Sequence, residues 1–203
     1  MSNTFTQVPP DSTGDKLRMR SMVVGADTVH DQGVFIAALP SYLAVADAIV
    51  PAANKHFISL FNNSGTNQTV YLQSLKLINL SITAVTGVLL RFEIRKTTVQ
   101  SAGTTVTPVL LDTRNPALSG ILCATAATIT DGSLLKPVIR NSDEHTAAVG
   151  NVYPLIEEMN LLEQNDGGQS YSLRPGEGIT LKQITSSVVG SFATILKFSV
   201  EPD

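Results

Sequence analysis

At 203 residues and a formal net charge of -3, the chain can bury about 70% of its unfolded surface and offers no general basic field to attract nucleic acid. Hydrophobic residues make up 43%, which excludes global disorder, and charged residues only 15%, a low share that suits contact with other protein subunits. The one cysteine, Cys123, excludes an internal disulfide framework, and its apolar setting in Ile121-Leu122-Cys123-Ala124-Thr125 points to a small buried residue rather than a nucleophile.

Residues 1 to about 33 are polar and broken by Pro9-Pro10, Gly14, Gly25 and Gly33, so they read as an extended arm that orders on a neighbour, or as a disordered tail. Within them Lys16, Arg18 and Arg20 read as a solvated turn or a protein contact. No basic stretch leads directly into an apolar core, so no signal peptide is expected. Val34 to Ala53 is the most hydrophobic stretch, but it holds Pro40, Asp47 and Pro51. An Asp near a bilayer centre costs roughly 2.5–3.5 kcal/mol, which argues against a membrane span. The expectation is a soluble protein made in a reducing compartment. Ala44 to Val50 lacks Gly and Pro and could form one short helix. The division expected is an arm and linker over 1–55 and a β domain over 56–203.

From His56 the pattern turns to strands. His56 to Phe61 is an apolar run ended by the turn signal Asn62-Asn63-Ser64-Gly65, and Thr69 to Ile78 follows. Val88, Leu90, Phe92 and Ile94 alternate with Leu89, Arg91, Glu93 and Arg95, the period of a half-buried antiparallel strand with its charge outward. Gln100 to Gly103 is a turn, and Pro108 sends Thr104 to Asp112 to a sheet edge. Ala124 to Thr130 and Leu134 to Arg140 are shorter strands separated by Asp131-Gly132; Val152 to Leu162 is strand or short helix. Leu173-Arg174-Pro175-Gly176-Glu177-Gly178 is a tight hairpin turn before Ile179 to Ile184, and Leu196, Phe198 and Val200 alternate at the end. Eight to ten short strands with regular turns predict an all-β fold, a jelly-roll-like antiparallel β-sandwich with an extended N-terminal arm.

Chemistry-bearing patterns are sparse. His30, His56 and His145 lack metal-ligand spacing, and Asp143-Glu144-His145 reads as a solvated loop. There is no Gly-x-Ser-x-Gly elbow and no phosphate loop, and a strand rather than a helix follows Pro175-Gly176-Glu177-Gly178. Glu157 and Glu158, with Glu163 nearby, could flank a glycosidic bond, but the chain has no Trp to stack on a sugar. Asn62, Asn67 and Asn79 match the glycosylation pattern by chance. No catalytic, cofactor-binding or metal-binding residue is expected, and the reading is not an enzyme.

Residues 56–201 resemble a family of small tailed-phage virion proteins. The resemblance is carried by Phe61-Asn62-Asn63, by Thr86-Gly87-Val88 leading into Phe92-Glu93-Ile94-Arg95, and by Gly103-Thr104-Thr105-Val106-Thr107-Pro108. Leu111-Asp112-Thr113, Asn115-Pro116-Ala117-Leu118 and Leu173-Arg174-Pro175-Gly176-Glu177-Gly178-Ile179 continue it; residues 1–55 lie outside. The resemblance implies a virion protein made in the host cytoplasm, a capsid decoration or head-fibre-base subunit. Its expected partners are the major capsid protein or other virion subunits and further copies of itself, a trimer foremost, without nucleic acid or membrane. A receptor- or carbohydrate-binding jelly roll is the alternative, and a β-sandwich hydrolase of cell-wall polymer the third reading.

Overall fold

The structure, a computed structural model, describes residues 3–7, 16–24, 27–31, 39–65, 68–81, 86–142, 156–159 and 171–201. The chain divides into two compact units, residues 1–38 and 39–203. In the first, β1 (Asn3–Gln7), β2 (Lys16–Val24) and β3 (Asp27–Asp31) form an antiparallel three-stranded sheet in the order β1-β2-β3. Over these described residues the extended or disordered arm expected from sequence is corrected to a paired sheet. Leu17, Met19 and Val23 alternate with Lys16, Arg18 and Arg20, and this period of two was the overlooked strand signal.

The second unit is an antiparallel β-sandwich, and no helix occurs among the described residues. It begins with β4 (Ser41–Ile49), so the boundary lies at 38/39 rather than 55/56. The short helix expected over Ala44 to Val50 is a strand. Tyr42, Ala44 and Ala46 are buried at every second position and pair with the C-terminal strand, so burial overrides the weak helix preference of alanine. At the end of β4 the register slips around Ala48, whose φ of 51° marks a bulge.

Next come β5 (His56–Asn62), β6 (Thr69–Asn79), β7 (Leu89–Ser101), β8 (Thr104–Thr105) and β9 (Val109–Leu110). They are followed by β10 (Ile121–Thr125), β11 (Thr128–Asn141), β12 (Ile156–Met159), β13 (Ser172–Leu173), β14 (Gly178–Gln183) and β15 (Phe192–Glu201). One sheet runs β11-β7-β14-β5-β10-β8, the other β12-β6-β15-β4-β9, with β13 also on β6. The pairings are nested. β7 pairs with β11, β6 with β12 and β13, β5 with β14, and β4 with β15, all antiparallel. This is one long antiparallel hairpin wound up, and the cross-pairs β7·β14 and β6·β15 join its turns into two sheets.

Between the sheets lies an apolar core. Phe57, Phe92 and Phe192 meet with ring centroids 5.0 to 6.0 Å apart, and Tyr42 stacks on Phe198 at 5.6 Å. Leu60, Leu72, Leu90, Ile94 and Leu181 fill the space around them without exposure. Each such side chain contributes roughly 1.5–3 kcal/mol of transfer free energy.

The tip of the hairpin bends back. Thr128 faces Ser101, and beyond the bend Thr125 faces Thr104, so β7-β8 and β10-β11 form one ribbon with a corner at 102–103 and 126–127. Ala102 and Ala126 both take a φ near 50° there. Gly103, with φ of 91°, leaves no room for a side chain, since a Cβ would sit 2.7 Å from Thr125 O. The bend lets β10 pair with β5 while β11 stays on β7, so the ribbon covers the outward face of β14 and β5. All of β5 is consequently buried. Asp131-Gly132, expected to separate a pair of strands, lies inside β11 as a register shift.

Candidate functional site

Two places gather side chains with chemical potential. The first is the polar layer beneath the ribbon. His56 is 8% exposed, and its Nδ1 lies 3.0 Å from the Thr180 hydroxyl, which itself donates to Ile58 O at 3.1 Å. With the Thr180 hydroxyl donating to Ile58 O, Nδ1 is placed to donate to Thr180, and Nε2 lies 4.0 Å from Asp131 Oδ1. The other oxygen of Asp131 accepts from Lys182 Nζ. Burial lowers the His56 pKa first; Asp131 opposes that and Lys182 adds to it. Ser59, also fully buried, donates to Ala124 O at 3.0 Å. The contacts of Asp131 with Lys182 and His56 fasten the ribbon to β14 and β5, while the bonds of Thr180 and Ser59 join neighbouring strands of the sheet.

On the same outward face Glu93, 4% exposed, lies between Arg91 and Arg95, each 2.7 Å away. Burial raises the pKa of this carboxyl, but the hydrogen bonds and charges of Arg95 and Arg91 outweigh it and hold the value below the ordinary range. Arg95 also donates to Gly132 O in the ribbon at 3.2 Å.

The second place is a pair of pockets on either side of residues 104–107. One, of about 350 Å³, is walled mainly by apolar residues between β4, β9 and β10, with Thr105 and Thr107 among them. The other, of about 420 Å³, runs along Val45 to Ile49 and is lined by Lys55, Thr104, Thr105, Thr107 and Thr125.

The residues singled out from sequence are scattered. Cys123 is buried, and burial pushes its thiol up to about 12, so no thiolate forms near neutrality. His30 lies on β3, and Glu157 and Glu158 on β12 opposite Leu77 and Lys76. Asp143, Glu144, His145 and Glu163 lie outside the described residues. Among the described residues no group of three acidic, histidine or cysteine side chains could hold a metal ion. Asn62 and Asn79 are buried, and Asn67 lies outside the described residues.

The turn at 174–177 closes with Glu177 N donating to Arg174 O at 2.9 Å, but it is no hairpin. It carries the chain from β13 in one sheet to β14 in the other. Asn62, read from sequence only as a turn residue and a chance glycosylation match, organises this corner. Its amide donates to Gln68 O and Leu173 O at 2.8 and 3.0 Å, while its backbone bonds Glu177 O and Gly176 N. Asn63 N adds a bond to Gly120 O at 2.7 Å. An Asn closing an apolar strand was the available signal.

No protein-family model, no curated protein and no solved structure matches the chain.

Proposed function

We propose that the chain is a structural subunit of a tailed-phage virion, a jelly-roll sandwich that binds the capsid or a vertex as a decoration or accessory protein. The observation that carries this reading is the meeting of its resemblance motifs at one corner. Phe61-Asn62-Asn63 and Leu173 to Ile179, more than 100 positions apart, are joined through Asn62, and Gly120, just beyond Asn115 to Leu118, is tied in through Asn63. These motifs thus serve the corners of a rolled hairpin, as a shared architecture would require. Nested pairing around a single hairpin supports the jelly-roll type, in which eight strands form two Greek-key sheets. The ion pair of Lys182 with Asp131 and the bond of Arg95 to Gly132 O fasten the ribbon to the sheet, which suits a subunit built to persist in a lattice. Fold alone does not assign a function, so the test is assembly.

The decisive experiment mixes the full chain with tailed-phage particles that lack it, and measures co-sedimentation together with the mass of the free chain. Saturable occupancy by a closed oligomer, a trimer foremost, is expected. A chain that stays monomeric and leaves every particle bare would refute the reading, and glycan binding by that monomer would move it to the receptor-binding class.

A further inference from the structure

We infer that the pocket between the ribbon tip and β4 is a binding site for a small, uncharged, apolar molecule, of the size of a bicyclic aromatic hydrocarbon or an eight-carbon chain. The inference is independent of the assembly reading. Tyr42, Val106, Pro108, Leu110, Leu118 and Leu122 supply most of the wall, Thr105 and Thr107 add hydroxyls to it, and no charged side chain contributes. Its volume of about 350 Å³ falls in the range of small-molecule sites, roughly 300–1,000 Å³. It is more than twice the roughly 150 Å³ cavity that holds benzene in an engineered protein core.

The pocket is preformed. Segment 111–118 is held against β4 by Leu111 N and the Asn115 amide on Ser41 O, at 3.1 and 3.3 Å, and by the Tyr42 hydroxyl on Pro116 O at 2.8 Å. On the other side Val106 N donates to Cys123 O at 2.9 Å. These bonds keep the walls apart, so the apolar surface cannot collapse on itself and ordering the loop costs a ligand little.

Polarity selects the ligand. The Tyr42 hydroxyl is already engaged, and none of the buried polar atoms lacking a partner lies on this wall. An ionised ligand would lose hydration and find no charged partner in return, only the hydroxyls of Thr105 and Thr107, whereas a hydrocarbon loses none.

The test is a titration of the full chain with naphthalene, 1-octanol and octanoate, followed by amide-resonance NMR. Saturating shifts confined to residues 104–110 and 116–123 are expected for the first two, with octanoate at least about tenfold weaker. Filling the pocket with Leu118→Trp should weaken naphthalene binding at least about tenfold while the unfolding midpoint stays near that of the parent. Val106→Phe serves the same purpose if Leu118→Trp does not fold. Scattered, non-saturating shifts, equal binding of octanoate, or undiminished binding in a folded filled variant would overturn the inference.

Discussion

The two faces of β7 share a backbone and differ in what covers them. Inward, Leu90, Phe92 and Ile94 are fully buried against the opposite sheet. Outward, Leu89 is 71% exposed, yet Glu93 two pleats along is 4% exposed. The alternation of side chains is a local property of a strand, but wetness is not. The folded ribbon dries a portion of a face whose sequence looks ready for water. The protein keeps that face stable by pairing its charges instead of replacing them.

Substitutions can break this comparison, beginning with the inward face. Phe92→Ala removes a ring that touches both Phe57 and Phe192, and should cost about 3–5 kcal/mol in denaturant unfolding. Glu93→Gln, on the outward face, leaves Arg91 and Arg95 without their carboxylate and should cost about 2 kcal/mol. If Glu93→Gln costs nothing, the outward face is solvated after all. Thr97→Val probes the same layer with the opposite sign. The Thr97 hydroxyl is buried without a hydrogen-bond partner, so its removal should be neutral or stabilise by up to about 1 kcal/mol.

Acid sharpens the contrast. His56 has a lowered pKa, so below about pH 6.5 the unfolded chain binds a proton that the folded chain refuses. Its contribution to stability is complete above that value and is lost as pH falls toward the folded pKa. Glu93, also lowered, contributes above its ordinary value near 4.5 and loses that contribution only at lower pH. Unfolding midpoints measured from pH 7 to 5 should therefore fall in the parent and fall less in His56→Gln. The smallest effect belongs to the solvent. Arg114 holds the exposed Asp112 carboxyl down to about 2, and Asp112→Asn should leave the midpoint at pH 7 unmoved because water screens the pair.

Much of the sandwich was legible in the residues themselves. The strands at 56–62, 69–79, 89–101 and 192–201 announce themselves through apolar alternation or apolar runs between turn signals. Pro108 marks an edge, and it does separate β8 from β9. The strand at 41–49 was hidden because alanine suits a helix as readily, and only its partner β15 decides between them. Neither candidate place could be read. His56, Asp131, Thr180 and Lys182 meet across as many as 126 positions, and the pocket needs β4, β9 and β10 together.

Strand identity, the inward side of each strand and the turns between them follow from local composition, because a period of two and a turn residue act within a few positions. The winding of the hairpin, the bend at Ala102-Gly103 and the drying of Glu93 and His56 required the whole chain. Those outcomes depend on which distant strand pairs with each edge, and a free energy of burial exists only once that neighbour is in place.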